Sequence, residues 1–141
     1  ERLGLQGRAD LVGHWNNPFP AMRRAGVVAV TSHSEGLSTV IIEALALGTT
    51  VVATDFASAR DALPSCGPAP VAHTPMAVAA AIERSLVHPA PPEQLKCWAA
   101  QFGVATIARR YEQLFLEVLD SRNRSIARLA TPDPLHAARG S

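Results

Sequence analysis

Between residues 26 and 55 the stretch GVVAVTSHSEGLSTVIIEALALGTTVVATD changes its hydrophobic rhythm three times. Val27 to Val30 form a short apolar run. Ser32 to Leu37 are mostly polar with one glycine, Thr39 to Leu47 carry a helical pattern, and Thr50 to Ala53 form a second β-branched run. Short apolar runs bounded by turn residues predict buried strands, so the unit reads strand, loop, helix, strand. Ser38 or Thr39 can act as N-cap, and Gly48 can take the left-handed position that stops the helix. Val40, Ile41, Ile42, Ala44, Leu45, Ala46 and Leu47 leave the helix apolar all round, the pattern of one covered on most sides. Glu43 is the one charge inside it. An unpaired carboxylate in such a place costs several kcal/mol, so Glu43 either follows a narrow wet strip or meets a hydrogen-bonding partner, and a ligand hydroxyl would serve.

The flanking chain extends the alternation. Residues 1–7 read as the end of a helix stopped at Gly4 or Gly7, followed by a strand from about Asp10 to Val12. A doubly wound sheet opens with a strand before its first helix, so the chain is expected to begin in mid-domain. Gly13 to Pro20 is a turn-rich loop at the carboxyl end of its strand, where ligands bind in open α/β sheets. Trp15 there either stacks on a base or, with Phe19, packs the loop onto the body. His14 is a loop residue, and Phe19 to Ala25 make a short helix. Beyond Asp55 the pattern predicts a short helix over Ala57 to Leu63, turns from Pro64 to Pro70 and a brief strand over Pro70 to Ala72.

Thr74 caps a helix from Pro75 to His88 that turns Met76, Val78, Ala79, Ile82 and Leu86 to the core. A further helix runs from Glu93 to Gln101 with Leu95, Trp98 and Phe102 in step. After Gly103 another reaches about Asp120, with Ile107, Tyr111, Leu114, Phe115 and Val118 in a stripe. From Ser121 the apolar period lapses, which predicts a flexible tail. The expected architecture is α/β, a Rossmann-like parallel sheet flanked by helices with a helical C-terminal segment. Residues 1–120 make the domain and 121–141 the tail.

Composition narrows the function. The chain has 141 residues, 48% hydrophobic and 18% charged, with a formal net charge of +1. That balance suits one domain and gives no electrostatic reason to bind nucleic acid. Twelve arginines stand against a single lysine, Lys96, and the arginines of the tail predict at most a weak attraction to acidic lipid, a peripheral membrane association of the full-length protein. Cys66 and Cys97 fit neither a disulfide framework nor a metal spacing, and a reducing, cytoplasmic setting is expected. No run approaches membrane-spanning length, and no signal peptide is read at the start.

The candidate chemistry gathers before the buried helix. Free backbone N–H groups and the helix dipole favour an anion there, yet Glu35 stands in the same loop. The two agree if Glu35 accepts hydrogen bonds from neutral hydroxyls while the amides of Leu37, Ser38 and Thr39 face the negative group. Glu43 would then hold a second set of hydroxyls. A nucleotide sugar has those three parts in order. His33, beside Glu35, could act as a general acid or base or simply brush the donor. A nicotinamide-dependent oxidoreductase is excluded, because no G-x-G-x-x-G follows a first strand.

Glu35-Gly36, the run to Ile42, Glu43-Ala44-Leu45-Ala46-Leu47-Gly48 and Val51-Val52-Ala53-Thr54-Asp55 resemble the E-x7-E region of retaining GT-B glycosyltransferases, the group 1 or family 4 type. Val12-Gly13, Asn17-Pro18, Met22 and Ala25 upstream, and Ser58, Arg60, Asp61 and Leu63 downstream, extend the resemblance across roughly residues 1–120. Ser38 and Ala59 stand where that pattern usually keeps glycine, or glycine and proline. The resemblance implies the C-terminal half of a GT-B fold, with an amino-terminal acceptor domain and a diphosphate-holding arginine and lysine lying outside this chain. It implies donor contacts from Glu35, Gly36, Leu37, Ser38 and Thr39, and ribose contacts from Glu43, with Glu35 also serving the catalytic centre. The donor is a nucleotide diphosphate sugar. No metal or other cofactor is expected, and no His, Cys or acidic cluster has ligand spacing. The implied activity is transfer of a hexose to a glycan, lipid or small-molecule acceptor by the full-length enzyme, this portion alone being inactive. The alternative is a non-catalytic nucleotide-sugar-binding subunit completed by a separate partner chain.

Overall fold

The computed structural model describes residues 4–130, with side chains described to residue 124. The chain divides into two units, one ending at Ala100 and one beginning at Gln101. In the first unit the element order is α1 (Phe19–Arg24), β1 (Val28–Val30), α2 (Thr39–Ala46), β2 (Val51–Ala53), α3 (Ala57–Ala62), α4 (Pro75–Val87) and α5 (Pro92–Ala99). β1 and β2 pair in parallel with Val28 opposite Val51, Ala29 opposite Val52 and Val30 opposite Ala53. A parallel pair needs a crossover, and α2 provides it.

The expected βαβ unit is therefore present, each element within a residue or so of its predicted bounds. The brief strand over Pro70 to Ala72 shrinks to one parallel bridge, Thr54 with Val71. Val71 N–H donates to Ala53 O at 2.9 Å and Asp55 N–H to Val71 O at 2.8 Å. Prolines 68 and 70 lack the N–H groups that a longer ladder would use.

The core lies around α2 and β2. Ile41, Ala44 and Leu45 of α2, all of β2, Phe56, Ala59, Ala62, Leu63, Ala90, Leu95 and Ala99 are buried, and nearly half of these are alanines. α2 packs on α5 most closely, and also on α1, α3 and both strands. Thr49 Oγ1 donates to Met22 O at 3.0 Å, tying α1 to the end of α2, and Trp98 Nε1 donates to Ala62 O at 2.8 Å, tying α5 to α3.

Gly48 stops α2 as its position predicts. Its φ is +79°, and a Cβ there would lie 2.9 Å from Lys96 Cε and 3.1 Å from Pro92 Cβ. Gly48→Ala combines left-handed strain with a clash against α5 and is expected to lower stability by about 1–3 kcal/mol. Urea unfolding measures this, and an unchanged midpoint would show that the turn relaxes without loss.

Four expectations are corrected. Residues 10–12 form no strand. Leu11 is wholly exposed, and β1 pairs only with β2, so among the described residues no strand edge receives residues 10–12. The end of a helix expected at residues 1–7 lies partly outside the described residues, and a turn over Gln6 to Arg8 stands in its described part. The inward face of α4 carries Ala81 and Ser85, while Val78 and Ile82 are half-buried and Met76, Ala79 and Leu86 are exposed. α4 packs on β2, and close approach to a sheet favours small residues at the contact. The tail expected from Ser121 is helical as far as described: α6 runs from Val104 to Ala130. Serine and arginine propagate a helix without needing an apolar period. Residues 131–141 of that expected tail lie outside the described residues. α6 forms the second unit after a single 3-10 turn, Ala100–Phe102, and brings the Tyr111 and Phe115 rings to 6.1 Å.

Candidate functional site

Parallel strands deliver their carboxyl ends to one edge of the sheet. The β1 end continues into Thr31 to Leu37, and the β2 end into Thr54 and Asp55. Thr54 joins them. Its Oγ1 donates to Ser32 O at 2.6 Å and lies 3.3 Å from Val30 O. Ser58 of α3, largely buried, donates from Oγ to Glu35 O at 3.0 Å. The loop that carries Glu35 is thus fastened from two neighbouring elements, which limits where its carboxylate can point.

Ser32 Oγ donates to Glu35 Oε1. This bond, and more weakly the nearby Ser38 hydroxyl, hold the Glu35 carboxyl below the ordinary carboxylate range, and slight desolvation works against them. Glu35 is therefore ionised at neutral pH and accepts hydrogen bonds only, which suits it to ligand hydroxyls and not to proton donation. Ser38 is the N-cap residue of α2, with extended backbone, but its hydroxyl caps no amide. It is 1% exposed, and although it helps to lower the Glu35 carboxyl, its Oγ closes no hydrogen bond of acceptable geometry. Such an orphaned buried hydroxyl costs about 1–3 kcal/mol unless something outside the chain satisfies it.

The amides at this end of α2 are not equivalent. Thr39 N–H donates to Leu37 O at 3.1 Å, so the expected anion contact from Thr39 is engaged elsewhere. The amides of Leu37 and Ser38 make no such bond among the described residues. A side chain at Gly36 would meet nothing within 4 Å. Glu43 is half-buried and has neither hydrogen bond nor ion pair among the described residues. Of the two alternatives for this carboxylate, a hydrogen-bonding partner is not found among the described residues.

His33 makes no side-chain hydrogen bond among the described residues and stacks on His73, the ring centroids 4.7 Å apart and the planes at 8°. His73 Nε2 donates to Asp55 O at 2.9 Å. His73 was not readable as a site residue; the one available signal is its place between a brief strand and a capped helix. Trp15 is partly exposed and His14 exposed, both in the loop before α1. Among the described residues no group of three His, Cys, Asp or Glu side chains is placed to hold a metal ion.

Arg60 grips Asp55 with two bonds, Nε to Oδ1 at 2.6 Å and an Nη to Oδ2 at 2.7 Å. Hydrogen bonding to Arg60 is the main cause that lowers the Asp55 carboxyl, and Coulomb attraction from Arg60 and His73 adds to it. A lowered carboxyl favours the folded state above its ordinary range, about pH 3.9, and that contribution is lost as pH falls through the lower folded value. The Asp55 carboxyl 13C shift is expected to titrate below about pH 3.9, and in Arg60→Ala near it. Equal midpoints in both proteins would show that the pair does not persist in solution.

A parallel βαβ unit whose polar groups gather at the carboxyl ends of the strands defines a Rossmann-like α/β domain. The sequence model of the family described as "Glycosyl transferases group 1" matches residues 1–88, more than half of the chain. The chain belongs to that family, as part of a GT-B glycosyltransferase domain, and its role is in glycosyl transfer. No curated protein matches the chain. Among the described residues no helix is long and apolar enough to cross a membrane.

Proposed function

We propose that the domain holds the donor of a retaining hexosyltransferase, a nucleotide diphosphate sugar. The observation that carries this reading is the unsatisfied hydroxyl of Ser38 at the start of α2, beside an ionised Glu35 and on the same helix as Glu43, which has no side-chain partner among the described residues. Glu35 accepts hydrogen bonds from the sugar hydroxyls. Leu37 and Ser38 amides, with the Ser38 hydroxyl and the α2 dipole, receive the diphosphate. Glu43 takes the ribose hydroxyls, and Gly36 leaves room for the sugar. Catalysis then rests on holding the donor and stabilising the diphosphate as its bond to the anomeric carbon breaks.

Calorimetric titration with UDP, GDP, ADP and UDP-glucose tests this. Saturable binding of one nucleotide, tightened by its sugar, is the expected result. No heat for any nucleotide at millimolar concentration, from a folded sample, refutes the donor reading for this chain. One observation favours a second reading, a donor-binding subunit completed by a partner chain. The outer edge of β1 is unpaired among the described residues, and Leu11 is fully exposed. Nucleotide binding without any sugar transfer, restored by a co-purified chain, would select it.

A further inference from the structure

At the carboxyl end of α4 lies a cavity of about 480 Å³ that shares no lining residue with the Glu35 loop, and its size is within the range of small-molecule sites. Ala81, Arg84, Ser85 and His88 form one wall, spaced as one face of the helix. Residues 66–71 and 89–91 form the rest. No Asp or Glu lines it. Glu83, the one acid of α4, stands about half a turn round the helix from Ala81 and Ser85. Arg84 is exposed, and its guanidinium has neither hydrogen bond nor ion pair among the described residues, so nothing holds it away from the cavity. A cation in the last turn of a helix also offsets the helix dipole, and that alone would account for Arg84.

It does not account for Ser85. That residue is 4% exposed, and its hydroxyl, on the cavity wall, has no hydrogen bond among the described residues. A serine within a helix can return its hydroxyl to a carbonyl one turn back, and this one does not. A buried hydroxyl in that state is costly unless a partner comes from outside the chain. The rest of the wall is mostly apolar: Val71, Ala81, Ala90 and four prolines, which bring no N–H of their own. We infer that the cavity binds a small organic anion, its phosphate or carboxylate head on Arg84 and Ser85 and its body against Val71, Ala81 and the prolines. The guanidinium fork matches either head. A bare inorganic ion would leave the apolar wall uncovered. Arg84 and Ser85 take no part in the proposed donor arrangement, so this site stands or falls independently of it.

The test titrates phenyl phosphate, benzoate and phenol into the whole 141-residue chain and follows the amide NMR shifts. At least one of the two anions is expected to bind about tenfold or more tightly than phenol and to shift the amides of Ala81, Ser85 and His88. The tighter of the two names the head. Arg84→Gln and Ser85→Ala are each expected to weaken that anion about tenfold. Arg84 is exposed, so its replacement leaves the fold intact. Ser85→Ala removes an unpaired hydroxyl and should hold or raise the midpoint of thermal unfolding, which loss of a merely structural hydrogen bond would lower. Phenol binding as tightly as both anions would reduce the cavity to an apolar gap and overturn the inference. So would shifts confined to Leu37 and Ser38, or unaltered affinity in either variant, and the donor reading would be untouched.

Discussion

Glu43→Ala is expected to weaken binding of the preferred nucleoside diphosphate by about 10–100-fold while the fold survives. The estimate follows from the usual worth of a hydrogen bond to a charged group, about 1.5–3 kcal/mol, with 1.4 kcal/mol for each factor of ten. Survival of the fold follows from the structure. Glu43 sits on a helix whose buried positions are Ile41, Ala44 and Leu45, and its own carboxylate has no partner among the described residues whose loss would strand another group. Alanine is also the best helix former, so the backbone gains slightly. Calorimetry reads the affinity and thermal unfolding reads the fold. Comparison with the corresponding 2′-deoxynucleotide sharpens the result. Wild type should lose affinity for the deoxy ligand and Glu43→Ala should lose little more. Equal losses in both proteins would place the ribose elsewhere.

The largest expected change in stability comes from Leu95→Ala, about 2–5 kcal/mol. Leu95 is 0% exposed and belongs to α5, the helix that packs most closely on α2. Its neighbours in the core include several alanines, which have no longer side chain to swing into the space left behind, so the cavity would remain open. A domain of this size is stable by only about 5–15 kcal/mol, and the midpoint of thermal unfolding should fall by about 10 °C or more. Leu86→Ala serves as the control. Leu86 has the same chemistry but is 58% exposed, and its change should stay within about 0.5 kcal/mol. Equal effects at the two leucines would mean that the burial described for α5 is wrong.

The βαβ unit could be read from the sequence because its signals are local and redundant. Two β-branched runs, a helix apolar on every side and Gly48 at its end each point to the same structure. Glu43 stood out for the same reason, as the one charge in an apolar helix. What escaped reading depended on partners distant in sequence. Residues 10–12 have the composition of a strand, but composition does not make the pairing, and they join neither strand of the sheet although the outer edge of β1 is open among the described residues. In α4 the alanines at 77, 79, 80 and 81 carry almost no hydrophobic direction. The large side chains Met76 and Leu86 suggested one face, and the sheet selected the small one. α6 was read too short because an amphipathic stripe was required of it throughout, though helix propagation requires only the absence of a breaker.

The candidate site was partly legible. Glu35 and Glu43 follow from the chemistry of their surroundings, and Ser38 from its place before the helix. The latches that position Glu35 do not. Thr54 and Ser58 lie 19 and 23 residues further along the chain, and only folding brings their hydroxyls to the backbone of Ser32 and Glu35. His73 lies further still, and nothing in its local sequence announces a ring stacked on His33.

The alanines of the core bear on how this domain orders itself. Ala44, Ala53, Ala59, Ala62, Ala90 and Ala99 are all buried. Each leaves water without surrendering any rotational freedom of a side chain, whereas a buried leucine or isoleucine gives up about 0.5–1 kcal/mol in that way. Each also brings little apolar area with it. The interior beneath Glu35 and Glu43 therefore gains rigidity from close backbone approach more than from interlocking side chains. Thermal motion there has few rotamers to explore, and the strand ends are carried on a support with little slack.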